Sequence, residues 1–132
     1  MISLQQRCTI RNEIDIINMR MAVREFARRC GFGLRDQACI SLVSASLAAS
    51  LGLGKESLSI GAEILMESCE SDRKQGVRIS CTKHHAKMGD QEVHHRLKSS
   101  YLLVDDIQVN AVSLDGIEVI VTKWDSTYTQ RS

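Results

Sequence analysis

Between residues 12 and 54 the hydrophobic positions repeat every three or four residues, which predicts two consecutive helices. Asn12 is a suitable N-cap for the first helix, and Gly31 is a suitable end. The hydrophobic positions of the first helix form one stripe: Ile16, Met19, Val23, Phe26 and Cys30. This helix is therefore expected to bury one face against a core.

The stretch from Leu34 to Gly54 predicts the second helix, with Asp36 as its N-cap and Gly52 and Gly54 at its end. Its middle, ASLAAS, carries no charge. Ser46 and Ser50 are four residues apart, so both hydroxyls lie on one side of the helix. We interpret this segment as a seam of small residues that packs closely on a sheet, with a remodelled ligand pocket as the alternative.

In the rest of the chain hydrophobic and polar residues alternate, which predicts strands. The predicted strands span residues 7–11, 58–66, 77–82, 107–111 and 117–121. Residues 68–76 are interpreted as a polar loop between two of them, and residues 114–116 as a tight turn between the last two. A third helix is expected from about Gln91 to Leu103.

The predicted order is strand, helix, helix, strand, strand, helix, strand, strand. Such an order is typical of an α+β two-layer sandwich, in which a mixed or antiparallel sheet carries helices on one face. No repeat or linker divides the chain, so residues 1–132 are expected to form a single domain.

The composition is that of an ordinary globular protein, with 43% hydrophobic residues, 25% charged residues and a net charge of +1. Near-neutral charge and few aromatic residues argue against a nucleic-acid surface, and no segment has the length of a membrane span. The five cysteines are an odd number without a CxxC pair, which favours reduced thiols in the hydrophobic core. We therefore expect a cytoplasmic protein.

Two groups of residues are candidates for binding. Arg20, Arg24 and Arg28 lie off the hydrophobic stripe of the first helix, on a solvated face or a face for a protein partner. Four histidines could bind a metal or respond to pH: His84, His85, His94 and His95. Their spacing fits no standard zinc motif, so a solvated loop and helix start is the favoured interpretation.

Three segments resemble one known family. GFGLRDQACI, RKQGVRIS and VDDIQVNAVSLDGIEVIVTKW, at residues 31–40, 73–80 and 104–124, are similar to the bacterial partner-switching serine kinases and anti-sigma factors. That family shares its ATP-binding domain with histidine kinases, gyrase and the Hsp90 chaperone. The resemblance implies a Bergerat-type ATPase fold, with ATP and Mg²⁺ as the ligands of its active members.

The departures from this family concern its nucleotide site. Ser46 and Ser50 stand where the family has a general-base glutamate and an Mg²⁺-binding asparagine, and a serine hydroxyl supplies neither function. Lys83, His85 and Lys87 stand where the family has an Asp-x-Gly-x-Gly turn for the adenine. The segment corresponding to its glycine-rich lid is short. These departures from the family imply no catalytic residue and no bound ATP or Mg²⁺.

The expected function is that of a non-catalytic regulatory module that acts through protein–protein interaction. By the resemblance, its partner is a STAS-domain antagonist, a sigma factor or a phosphatase, and a homodimer is compatible with it. The docking surfaces expected are the arginine face of the first helix and the altered lid region from Lys83 to Ser100, with His94, His95 and Arg96 as its candidate contacts.

Two alternatives remain open. The first is an active kinase or anti-sigma factor in which Glu63, Glu67 or Asp90 supplies the lost carboxylate. The second is a metal or pH sensor built on the paired histidines.

Overall fold

The computed structural model describes residues 4–52, 62–84, 89–112 and 116–126. The elements follow the predicted order. They are β1 (Gln5–Ile10), α1 (Glu13–Arg29), α2 (Leu34–Ser50), β2 (Ala62–Ser71), β3 (Lys74–Lys83), α3 (Asp90–Arg96), a 3-10 helix (Lys98–Leu102), β4 (Asp106–Ala111) and β5 (Ile117–Trp124). The α+β class is therefore confirmed.

The five strands form one sheet in the order β1-β2-β3-β5-β4, and every pair of neighbours is antiparallel. In the middle of the sheet Met66 lies opposite Ile79, and Ile79 opposite Val121. These three side chains are buried in one core with residues of α1 and α2, as a two-layer sandwich requires.

The opposite face of the sheet is open to solvent. On β2 the buried Ile64 and Met66 alternate with Glu63, which is exposed, and with Leu65 and Glu67, which are half-buried. Because successive side chains of a strand point to opposite faces, the three intervening residues lie on the face away from the helices. The helices thus cover one side of the sheet in the part of the chain that the structure describes.

Helix α1 begins and ends where the sequence predicted. The Asn12 side chain accepts a hydrogen bond of 2.9 Å from the backbone amide of Asp15. Gly31 has a positive φ of 88°, which lets Phe32 bond back to the Ala27 carbonyl at 3.0 Å. Met19, Val23 and Phe26 are buried, so the predicted stripe does face the core.

The predicted start of α2 is wrong. Its N-cap is Gly33, which makes no side-chain capping bond, and the helix already begins at Leu34. Asp36 lies inside the first turn with 3% of its surface exposed. Gly52 lies at the end of the helix as predicted, and this glycine has the positive φ of 66° that is common at helix ends. Gly54 lies outside the described residues.

The predicted polar loop of residues 68–76 is also wrong. Strand pairing continues to Ser71 opposite Lys74, and only Asp72 and Arg73 form the turn. Both have positive φ, 44° and 70°, as in the two-residue turns that match the twist of a hairpin. Polar side chains are tolerated here because the end of this hairpin is exposed.

The third predicted helix is divided. Helix α3 stops at Arg96, and a 3-10 helix follows from Lys98. Val93 and Leu97 are buried one turn apart, but Ser100 takes the next inward position. The tighter 3-10 turn places Ser100 inward three residues after Leu97, and it leaves Leu102 exposed.

The remaining strand predictions hold within a few residues. The predicted turn at 114–116 and the predicted strand residues 58–61 fall mostly or wholly outside the described residues. No helix in the described ranges has the length and hydrophobicity needed to cross a membrane.

Candidate functional site

Ser46 and Ser50 lie at one border of the buried face of α2. Both are half-buried, whereas the centre of that face carries Ile40 and Leu47 with at most 1% exposure. Ser44, in contrast, is buried, and its hydroxyl donates to the Ser41 carbonyl at 2.7 Å. The seam of small residues that packs inward therefore includes Ser44 and Ala48 rather than the two predicted serines.

Two cations bind the C-terminal end of α2. The Lys83 ammonium donates to the Leu51 carbonyl at 2.7 Å, and the Arg96 guanidinium donates to the Ser50 carbonyl at 2.9 Å. The last carbonyls of a helix have no partner within it and carry the negative end of its dipole. We call Ser50, Leu51, Lys83 and Arg96 the α2 terminus.

The chemistry of the α2 terminus is that of a helix cap. The carboxylate of Glu92 binds the second nitrogen of Arg96 at 2.8 Å, so that its charge is already neutralised. A hydroxyl such as that of Ser46 has no basicity near neutral pH. The Leu51 and Ser50 carbonyl oxygens are already occupied by Lys83 and Arg96, and the Lys83 ammonium would repel Mg²⁺. This arrangement can stabilise a helix end, but it provides no general base.

Removing these caps will destabilise the protein unequally. We expect Lys83→Met to lower the free energy of unfolding by about 1 to 2 kcal/mol, because a half-buried carbonyl loses a charged donor. Arg96→Met should cost less, about 0.5 to 1 kcal/mol, because that side chain is more exposed. Urea denaturation measures both. Lys98→Met, at an exposed lysine two residues from Arg96, is the control and should change little; an equal loss for all three would contradict the capping role.

The histidines are not gathered into a metal site in the described part of the chain, where no three His, Cys, Asp or Glu side chains form a group. His94 hydrogen-bonds the Tyr101 hydroxyl through Nδ1, with the two ring centroids 6.0 Å apart. His84 and His95 are exposed. His85, like Lys87, lies outside the described residues.

Two of the acidic residues of the kinase alternative, Glu63 and Glu67, are not brought to the α2 terminus. Glu63 and Glu67 belong to the open face of the sheet, and Glu63 lies 4.0 Å from Arg7 of β1. Asp90 is the first residue of α3. A general base at Ser46 would have to come from the helix side of the sheet, which neither glutamate faces.

The outer side of α1 carries a surface that the sequence analysis missed in part. Arg20, Arg24 and Arg28 are exposed as expected. The same side also exposes Ile14, Ile17 and Met21, at 68%, 57% and 67%. These three residues are spaced three and four apart, so they form a second hydrophobic stripe on α1. The sequence would have shown it if the helix had been searched for a second stripe as well as the first.

Next to this stripe a groove of about 250 Å³ separates α1 from α2. Its lining consists of Ile17, Arg20, Met21, Arg24 and Ser41. The Ser41 hydroxyl lies 3.5 Å from the Arg20 carbonyl, so the two helices are in contact at its base. We call Ile14, Ile17, Met21, Arg20 and Arg24 the α1 face.

Asp36 joins the start of α2 to the end of β5. Its carboxylate accepts hydrogen bonds from the Ser126 amide at 2.9 Å and the Ser126 hydroxyl at 2.7 Å. The Lys123 ammonium lies 3.5 Å away, with 12% of that side chain exposed. Burial acts to raise the pKa of Asp36, but the bonds from Ser126 and the charge of Lys123 outweigh it and lower that pKa. The residue predicted as an N-cap is therefore a tertiary anchor.

The lowered pKa of Asp36 predicts an acid-sensitive part of the stability. Because the folded state holds this proton more weakly than the unfolded chain, the contribution is complete above the ordinary value of about 3.9. It is lost as the pH falls through the lower pKa of the folded state. Urea denaturation between pH 7 and pH 2.5 tests this against Asp36→Asn, which cannot titrate. The gap in stability between the two proteins should narrow below about pH 4, and a constant gap would contradict it.

The cysteines are all unpaired thiols in the structure, but only one is fully buried. Burial raises the pKa of Cys81 to about 12, which makes this thiol unreactive. The other four, Cys8, Cys30, Cys39 and Cys69, are half-buried at the margins of the core rather than in it. The predicted core position of the cysteines therefore holds fully for Cys81 alone.

Comparison with known proteins adds no family: no model of a known protein family matches the chain, and no curated protein matches it in sequence.

Proposed function

We propose that this chain is a non-catalytic, regulatory protein-binding module with the Bergerat-type fold of the partner-switching kinases and anti-sigma factors. The observation that carries the proposal is the α1 face, where three large hydrophobic side chains are more than half exposed beside two arginines. Contiguous hydrophobic surface of this kind on a folded protein is typical of an interaction site.

The non-catalytic part of the proposal is supported by the α2 terminus. In the active family this end of the second helix lies at the Mg²⁺ and the general base. Here the carbonyls of Ser50 and Leu51 are bound by Arg96 and Lys83. Ser46 offers no base, and Glu63 and Glu67 of β2 face the other side of the sheet. Binding without phosphate transfer is the function that these residues favour.

The family resemblance directs the choice of partner. A STAS-domain antagonist, a sigma factor or a phosphatase would be held by occupancy alone, and release would then depend on competition between partners rather than on phosphorylation. In the second expected docking region, Lys83 to Ser100, two of the three candidate contacts are less suited to this role. His94 is engaged with Tyr101, and Arg96 with Ser50 and Glu92.

Titration with ATP and Mg²⁺ tests the absence of catalysis. We expect isothermal calorimetry to show no saturable heat up to about 1 mM nucleotide, which corresponds to a binding free energy weaker than about 4 kcal/mol. Circular dichroism of the same sample confirms that the protein is folded. Saturable binding in the micromolar range, or transfer of phosphate to a STAS-domain protein, would overturn the proposal.

A further inference from the structure

We propose that the α1 face binds an amphipathic helix of a partner protein whose polar flank carries aspartate or glutamate. This inference rests on the proposed function and specifies the chemistry of its partner.

The hydrophobic stripe has the form of a helix-binding surface. Ile14, Ile17 and Met21 extend over two turns of α1, a length of roughly 10 Å. A partner helix that packs along α1 would present hydrophobic side chains at the same spacing, as in other grooves that bind helices.

The groove is already formed without a partner. Below the stripe α1 is held by Met19, Val23 and Phe26, each at most 1% exposed. The contact between Ser41 and Arg20 holds α2 against it. A partner would therefore bind a rigid surface and would lose affinity only through its own ordering and the fixing of exposed side chains.

Two arginines on this face determine that the expected partner is acidic. Arg28 is paired with Glu25, with 2.9 Å between Nε and Oε2. Arg20 and Arg24, in contrast, have no carboxylate within 4.0 Å among the residues that the structure describes. Guanidinium groups bind carboxylates in paired hydrogen bonds, so acidic residues beside the hydrophobic contact would satisfy both.

A second copy of this chain is a poorer match. Two α1 faces packed on each other would bring four unpaired arginines together. Among the acidic residues of α1, Asp15 accepts the Arg11 amide at 2.9 Å and Glu25 binds Arg28, so that one acid per copy, Glu13, would face two arginines. Like charges at an interface cost several kcal/mol. An acidic partner helix avoids this repulsion.

A displayed library of helical peptides provides the test without a known partner. The peptides carry a constant hydrophobic stripe, and their flanking positions vary among Glu, Lys, Gln and Ala. We expect selection on the wild-type protein to enrich Glu at the flanks. The consensus peptide, labelled with fluorescein, should bind by anisotropy and lose affinity as salt rises from 0.05 to about 0.5 M.

Matched variants assign the binding to the α1 face. Arg20→Glu with Arg24→Glu should weaken the consensus peptide at least tenfold, and should shift a repeated selection toward Lys. Arg73→Glu with Lys98→Glu makes the same change in net charge at two exposed sites elsewhere, and should leave the affinity within about twofold. Met21→Ala should weaken the binding of the Glu-flanked peptides to the wild-type arginines and of the Lys-flanked peptides to the double Glu variant, because both use the hydrophobic stripe.

Each other outcome overturns the inference. Selection that yields no binder, that shows no preference for Glu, or that yields binders insensitive to the α1 variants means that this face does not bind an acidic helix. Binders that map to another surface would leave the proposed protein-binding function intact. A dimer in light scattering that Met21→Asp converts to a monomer would identify a second copy as the occupant. The ATP titration decides the non-catalytic claim separately.

Discussion

Replacing Asp36 with alanine is expected to lower the free energy of unfolding by about 3 to 5 kcal/mol, because it breaks a buried ion pair and leaves one charge behind. The carboxylate is the acceptor for both donors of Ser126 and lies 3.5 Å from the Lys123 ammonium. Without it, Lys123 keeps a charge at a site where only 12% of its side chain is exposed. Chemical denaturation followed by circular dichroism measures the loss.

Two companion variants separate the ion pair from the hydrogen bonds. Ser126→Ala removes the hydroxyl donor but keeps the amide, so it should cost only about 1 kcal/mol. Combining Asp36→Ala with Lys123→Met removes both charges and should recover part of the loss, since the unpaired charge is gone. A loss for Asp36→Ala below about 1 kcal/mol would contradict the anchoring role.

Replacing Gly76 with alanine is the second large change. A Cβ atom at this position would lie 2.6 Å from a ring carbon of Trp124 and 2.9 Å from the Lys123 carbonyl oxygen. The backbone of β5 cannot withdraw without breaking its pairing with β3, in which Gly76 is opposite Trp124. Overpacking of this kind costs about 1 to 3 kcal/mol, and Gly76→Val should cost more. Thermal and urea denaturation measure both.

Gly33→Ala is the matched control, because a Cβ atom there would have no neighbour within 4 Å. Its φ of −69° is open to any residue. The change in stability should stay within about 1 kcal/mol, since the lower entropy of the unfolded chain offsets a weaker N-cap. If Gly76→Ala were as mild as this control, the close approach of Trp124 would not constrain the sheet.

Both predictions concern the end of β5, which is attached from several sides. Asp36 holds Ser126 and Lys123 from the helix layer, and Trp124 covers Gly76 on the open face. The Trp124 amide also donates to the Asp105 carboxylate at 2.7 Å. The start of α2 and the final strand are thus coupled, so damage at either should loosen both.

The features of the site that the sequence could predict were those formed between residues close together in the chain. The exposure of Arg20, Arg24 and Arg28 followed from helical spacing, which acts over a few residues. The capping of α2 joins Lys83 to Leu51 across 32 residues, and Arg96 to Ser50 across 46. No local pattern announces such contacts, because they depend on how strands and helices pack. Ser46 and Ser50 were singled out by their spacing on the helix, and only the family resemblance related them to a nucleotide site.

Some errors came from residues that can serve two purposes. Aspartate is a residue type that commonly caps helices, but the Asp36 carboxylate instead accepts a hydrogen bond from Ser126, ninety residues away. Asp72 and Arg73 form a tight turn at positive φ, although neither is glycine. Local propensity is a fraction of a kcal/mol per residue, so a buried ion pair or a continuous strand ladder can override it.

The sequence by itself determined the order of the elements, the inward stripe of α1 and its two ends, because hydrophobic periodicity and capping are local properties of the chain. Only the tertiary structure decided that Asp36 anchors the last strand and that Lys83 and Arg96 cap the C-terminal end of α2. It also decided that Ile14, Ile17 and Met21 remain exposed to solvent. The physical reason is that hydrophobic side chains specify that a surface should be buried, whereas packing determines which surface the core has room to cover.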